Sequence, residues 1–306
     1  MRPSLHRIAR IAAVAIGTAA LTLAPLCARA QDFSKVEIQT QKLTPNLYML
    51  IGAGGNIGVS IGEDAVFVID DQYAPLTPKI LAAIAKLTPK PVKFLINTHW
   101  HGDHAGGNEN FGNAGAIIFA HENVRKRMST DQFIELFNMK SPASPAIALP
   151  VVTFTRDIAF HLNGDDIVAF HAPNAHTDGD SIVQFRNSNV IHMGDTMFNK
   201  MYPFIDSATG GSPDGVVAAA DRVLAMTDDK TMLIPGHGPL ANKADLQAFR
   251  VMLATVTQRV RDAIKAGKKL EEVVAAKPTA DFDAVWGKGF LGPDKFVETI
   301  YRGMAK

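Results

Sequence analysis

Asn97-Thr98-His99-Trp100-His101-Gly102-Asp103-His104 crowds four potential metal ligands into six residues, directly behind the apolar run Val92-Lys93-Phe94-Leu95-Ile96. A single histidine at a strand-to-loop junction is an ordinary polar cap. His-x-His-x-Asp-His has little structural use, because without a cation its titratable groups would repel one another at a buried position. Imidazole nitrogen and carboxylate oxygen are the donors of a catalytic zinc that keeps a position open for water. Four such donors suit two metals better than one.

Upstream, Leu47–Ile51 and Ile57–Ile61 read as strands flanking the glycine-rich turn Gly52-Ala-Gly-Gly-Asn56. Ala65–Ile69 is a continuous apolar run, as in a strand buried on both faces, and ends at Asp70-Asp71. Thr77 reads as an N-cap with Pro78 in the first turn, and Ile80, Leu81, Ile84 and Leu87 form a helical stripe that Pro89 and Pro91 stop. The order strand, helix, strand therefore delivers the chain to His99.

Downstream, residues 121–139 read as helix and Ser141–Pro150 as a proline-rich connector. Strands follow at Val151–Phe154, Ile167–Phe170, Ser181–Phe185, Val190–His192 and Thr231–Ile234. Three of these adjoin further donors: His176 and Asp180 before Ser181, Asp195 after His192, and His237 after Ile234. A helix capped by Ser212 runs to about Met226. Another, with Leu246, Phe249, Leu253, Val256, Val260 and Ile264 on one face, spans about 244–264, with shorter helices at 270–276 and 294–304.

His99-x-His101-x-Asp103-His104, His176, Asp195 and His237, in this order and spacing, resemble the metallo-β-lactamase superfamily over roughly residues 40–240. The resemblance implies an α/β fold, an αββα sandwich with the metal site at one edge between two sheets, here followed by a helical C-terminal extension at 241–306 packed on the same domain (31–240). It assigns His99, His101 and His176 to one zinc and Asp103, His104 and His237 to a second, with Asp195 bridging. It implies a hydroxide between two Zn2+ as nucleophile, with Asp103 moving a proton. Iron or manganese are the other metals this donor set accepts. Asp70 reads as a group orienting a ligand from behind, or as a strand cap.

Substrate is less legible. The best-known β-lactamases of this superfamily carry cysteine where Asp195 stands and a lysine three residues on, where this chain has Phe198; Lys200 is the nearest lysine. Asp195 with His104 makes the ligand set similar to that of glyoxalase II, without a recognisable glutathione pocket in 241–306. The expected substrate is a small carbonyl compound, a β-lactam amide first, with lactone and thioester as alternatives. A mononuclear iron oxygenase and a non-catalytic metal-binding protein on the same fold are the readings from other classes. Trp100, Lys200, Tyr202 and Phe204 are candidate pocket walls, and His121, His161, His171 and His192 read as structural.

Residues 1–30 have the form of a cleaved export signal. Arg2, Arg7 and Arg10 precede an apolar run from Ile11 to Leu26, which closes on Ala28-Arg29-Ala30. The one cysteine, Cys27, falls inside it, so the remaining chain has no disulfide, thiolate ligand or cysteine nucleophile. Four of the 31 basic residues and none of the 30 acidic ones precede Gln31, leaving 27 against 30, a balance of −3. That is no electrostatic basis for binding nucleic acid. A periplasmic or secreted enzyme with no integral membrane segment after signal cleavage is expected.

Overall fold

The computed structural model describes residues 32–305, and the expected leader at 1–30 lies outside the described residues. Apolar runs that alternate between two buried faces build two sheets. The first has the order β1 (Gln39–Lys42), β2 (Leu47–Ile51), β3 (Ile57–Ile61), β4 (Val66–Ile69), β5 (Val92–Ile96), β6 (Ile117–His121) and β9 (Val152–Phe154). Its first four strands form an antiparallel meander, and β4, β5, β6 and β9 run parallel. The second sheet has the order β10 (Asp157–Leu162), β11 (Asp165–His171), β12 (Ser181–Phe185), β13 (Val190–Phe198) and β14 (Met232–His237), antiparallel except for the last pair.

The pleat sorts side chains into layers. Phe67, Ile69 and Ile96 meet Ile167, Val183, Phe185 and Ile234 between the sheets. Their neighbours Val66, Val68 and Leu95 point outward, against Ile80 and Ile84 of α1 (Thr77–Ala85) and Phe111 of α3 (Asn108–Asn113). On the far side, Ile182, Ile191 and Leu233 pack on α5 (Pro213–Leu224), α6 (Lys243–Lys265) and α9 (Pro293–Met304) through Val223, Phe249, Val256 and Phe296. Helix, sheet, sheet and helix are therefore stacked in that order. Two short helices remain near the site: α2 (Gly102–Ala105) and α4 (Glu122–Met128). Among the described residues, no helix is long and apolar enough to cross a membrane.

Three local expectations need correction. The stretch 121–139 is not one helix: α4 ends at Met128, and β7 (Gln132–Ile134) turns back through Asn138 to pair with β8 (Met139–Ser141). The hydroxyls of Ser129 and Thr130 donate to the carbonyl of Lys126 where the helix ends. Thr77 is the first residue of α1 and not its cap, since a 3-10 turn at Ala74–Leu76 precedes it. Residues 157–162, where no strand is expected, form β10. Ser212 does cap α5, its Oγ accepting from the Gly215 amide at 3.0 Å.

The C-terminal helices are pinned to the chain that follows Asp195. Tyr202 stacks on Phe296 (centroids 4.4 Å, 12°), its hydroxyl donates to Asp283 Oδ1 at 2.8 Å, and its amide donates to the Trp286 carbonyl at 3.0 Å. Helices α7 (Leu270–Ala275) and α8 (Asp283–Trp286) complete this layer.

Candidate metal centre

All seven expected donors come together where the two sheets meet at one edge. His99 and His101 lie in the loop behind β5, and Asp103 and His104 lie in α2; the first sheet supplies these four. The second sheet supplies His176 from the loop before β12, Asp195 from within β13, and His237 at the end of β14. Three overlapping groups have donor atoms within 4.8 Å of one another: His99, His101 and His176; His99, His104 and Asp195; and Asp103, His104 and His237.

Asp195 faces both ends of this set. Its Oδ2 lies 3.5 Å from His176 Nε2 and 3.8 Å from His99 Nε2; its Oδ1 lies 3.0 Å from His104 Nε2 and 3.4 Å from His237 Nε2. Strand β13 aims it by breaking register with β14 on either side of Gly194. Gly194 has φ +50°, and a Cβ there would sit 2.7 Å from Thr98, so glycine is required twice over.

Four of the five imidazoles are oriented from behind. His104 Nδ1 lies 2.8 Å from Asp70 Oδ2, His101 Nε2 lies 3.1 Å from Asp206 Oδ2, His176 Nδ1 donates to the Phe204 carbonyl at 2.8 Å, and His99 Nδ1 lies 3.1 Å from Thr98 Oγ1. These bonds assign the outer nitrogens as protonated, so that a bound cation would meet the inner lone pairs. Asp70 also accepts from the Thr98 amide and hydroxyl, and its φ of +63° shows a backbone held in an unfavoured region to do so. Asp206 carries no local sequence signal; only the fold brings it to His101.

The inner atoms are where a cation belongs. His176 Nε2 and His101 Nδ1 face each other at 2.8 Å, and His104 Nε2 and His237 Nε2 at 3.2 Å, close to the ~3.3 Å separating two ligands of a tetrahedral zinc with Zn–N bonds of about 2.0 Å. Among the described residues, buried His99 Nε2 and Asp195 Oδ1 have no hydrogen-bond partner. Without a cation these are costly orphans. The donor set fits a pair of divalent metals.

Burial, helped by the neighbouring imidazole of His101 and opposed by Asp195, pulls His176 down to about 4; burial with the neighbouring imidazole of His104 holds His99 well below its usual range. Burial also pulls on His237, yet Asp195 and Asp103 push it up to about 9. His104 likewise rises against burial, chiefly through Asp195 and Asp103. Burial raises Asp195 and Asp103, but the surrounding imidazoles outweigh it and hold both carboxylates ionised.

The glycine-rich turn between β2 and β3 overhangs this second half. The Gly55 amide donates to the Asp103 carbonyl at 3.0 Å, and a Cβ on Gly55 would lie 2.1 Å from His104 Cε1. Tyr73 closes in beside it. Burial and the carboxylates of Asp103 and Asp195 push its phenol up.

Of the candidate walls, Phe204 packs on His101 and His176 at 5.8 and 5.6 Å. Trp100 is buried against His101, centroids 4.5 Å apart. Lys200 is exposed, with φ +62°. Tyr202 is no wall: it is fully buried, and its hydroxyl is spent on Asp283 and the Thr279 carbonyl. His192 is buried and bonds the Asn56 carbonyl, while His121 and His171 stack on each other away from the cluster. A cavity of about 230 Å³ under α9 touches the centre only through Phe204 and Asp206.

Residues 51–237 match the family model of the metallo-beta-lactamase superfamily. The chain belongs to that superfamily. Among solved structures, it is similar to a stereoselective inverting sec-alkylsulfatase from Pseudomonas sp., with TM-score 0.65, 18% identity, and 87% of this chain and 50% of that one covered. This superfamily member thus spans about half the length of that sulfatase. It is also similar to a metallo-beta-lactamase from Pontibacter korlensis (TM-score 0.58, 18% identity, 71% of this chain and 99% of that one). The DIM-1 metallo-beta-lactamase gives TM-score 0.57 at 18% identity, covering 72% of this chain and 99% of that one. At such identities the likeness concerns the fold.

Proposed function

We propose that this protein is a two-metal hydrolase of a small carbonyl substrate, a β-lactam amide first, with lactone and thioester as alternatives. One observation carries the two-metal reading: the two oxygens of Asp195 face different histidine pairs, with His99 and His176 on one side and His104 and His237 on the other. His99, His101 and His176 would hold one cation, Asp103, His104 and His237 the other, and Asp195 both. Two zinc ions held there would supply Lewis acidity that lowers the pKa of a water and polarises the substrate carbonyl.

The chain's own groups do the rest. Asp70, Asp206, Thr98 and the Phe204 carbonyl fix the donor tautomers before substrate arrives. Asp103 is ionised, with Oδ2 3.3 Å from His237 Nε2 and a quarter of its side chain open to solvent. That carboxylate is placed to accept a proton from the attacking water and return it to the leaving group. A complete donor set favours this reading over a one-iron oxygenase or a degenerate binding protein.

A sulfate ester is the second reading. The similarity to the sec-alkylsulfatase covers 87% of this chain, against 71% and 72% for the lactamases. The deciding experiment measures bound metal by mass spectrometry of elements, then turnover of a cephalosporin, a lactone, a thioester and a sec-alkyl sulfate. We expect two equivalents of zinc and one substrate class turned over, falling by roughly 10²-fold or more in Asp103→Ala. A protein that takes up one metal or none sinks the two-metal reading; turnover of the sulfate alone replaces the carbonyl substrate.

We also propose export with cleavage after Ala30. The N-terminal sequence of protein recovered from periplasm or medium tests it, and a retained Met1 would overturn it.

A further inference from the structure

We propose that Phe290, on the loop between α8 and α9, is a specificity-determining wall of the metal centre, and that the substrate carries an extended apolar group, alkyl or aryl, beside the bond that is cut. This deepens the hydrolase reading and rests on it.

Among the described residues, only one side of the cluster is open. Asp103 and His237 expose 24% and 15% of their side chains, whereas the other five donors expose 5% or less. Phe204, buried against His101 and His176, closes the opposite side. A ligand therefore arrives past Asp103 and His237.

An exposed ring stands on that opening, backed by a buried one. Phe198 stacks on His237 (5.0 Å, 20°), and the Phe290 ring lies 6.1 Å from both His237 and Phe198. Across the opening, the half-buried ring of Tyr73 sits by Gly54, next to Asp103. Phe290 is 57% exposed while its neighbour Leu291 is 2% exposed. Scattered exposed apolar residues need no explanation, but this ring stands at the one entrance to a functional cluster.

Its position is also held firmly. A Cβ on Gly289 would lie 2.5 Å from Met201 Cβ, so the loop sits directly on the segment that follows β13. Buried Leu291 and the Tyr202–Trp286 bond anchor it on either side. A rigidly presented, half-wet ring gains by covering itself with a ligand's apolar surface, at about fourfold in affinity per fully buried methylene.

The test uses the cobalt(II)-loaded full chain and straight 1-alkanethiols of two, four and six carbons. Binding is read from the thiolate-to-cobalt absorption band, so no turnover is needed. We expect affinity to rise about two- to fourfold per methylene. Phe290→Ala should weaken hexanethiol by roughly tenfold and ethanethiol by less than twofold, with unchanged cobalt content and thermal midpoint; Phe290→Leu should restore most of the difference. Thiol binding with no chain-length dependence, or the same dependence in Phe290→Ala, would overturn the proposal while leaving the metal centre intact. Failure to take up cobalt, or cobalt with no thiolate band, would instead overturn the hydrolase reading and this inference with it.

Discussion

His101 presents Nδ1 to the cluster only because something holds its other nitrogen, and that something is Asp206. Burial pushes the Asp206 carboxyl up, but the hydrogen bond and charge of His101 outweigh this and keep it below its usual range. Asp206→Ala should therefore weaken metal binding at the His99/His101/His176 group by about 10- to 100-fold, read by competition with a chromogenic chelator. Asp206→Asn, whose single amide oxygen can still accept from His101 although it gives up the bond from the Ala208 amide, should lose less. Equal affinity in native and Ala proteins would remove Asp206 from the site. The two halves should also differ in their response to pH. In the metal-free protein His176 stays neutral down to about 4, whereas His237 holds a proton up to about 9. A cation entering beside His237 near pH 7.5 must displace that proton, so its affinity falls as pH drops below 9, by up to about tenfold per unit. Calorimetry in buffers of different ionisation enthalpy should show proton release with one equivalent of metal and little with the other; equal release for both would contradict this asymmetry.

At the scale of elements, the sequence was legible where period and chemistry agree. Buried strands β4 and β5, the Ser212 cap and the amphipathic stripe of α6 are all written in local residues, and the stripe of α6 indeed buries Leu246, Phe249, Leu253, Val256 and Val260. The donors were readable for a similar reason, since His99 and His101 follow β5 and His237 ends β14, although Asp195 lies inside β13 and Asp103 and His104 lie in α2. Reading failed where tertiary pairing outweighed local pattern. The β7–β8 hairpin buries only Ile134, too little to mark a strand locally, and β10 alternates exposed with half-buried residues because it is a sheet edge. Tyr202 shows the same limit: its place after Asp195 suggested a wall, but the partners that claim it, Asp283 and Phe296, are distant in sequence. Tyr202→Phe should therefore cost about 1–2 kcal/mol of stability in denaturant unfolding and leave metal content and activity unchanged. A change in substrate affinity at unchanged stability would return it to the pocket.

For the whole molecule, the centre is a seam. Four donors come from the first sheet and three from the second, so cations held among them would tie together two layers that otherwise meet through apolar contacts, such as Phe67 and Ile69 with Val183 and Ile234, and through hydrogen bonds such as that of His192 with the Asn56 carbonyl. A ligand that binds the folded chain alone stabilises it by about 2.7 kcal/mol at one hundred times its dissociation constant. For a domain of this size that amounts to roughly 5–10 °C in thermal midpoint. The cores between the sheets and under the helices contain no donor, so the fold itself should survive without metal. Chelation is thus expected to lower the midpoint by that amount while leaving the far-ultraviolet dichroism at 25 °C unchanged, and zinc should restore it. Because Asp195 joins both halves, Asp195→Ala should abolish most of the zinc-dependent rise, whereas Asp103→Ala, confined to one half, should retain part of it. A midpoint indifferent to zinc in the native protein would mean that the seam is not closed by metal, and equal effects of the two variants would remove Asp195 from its central place.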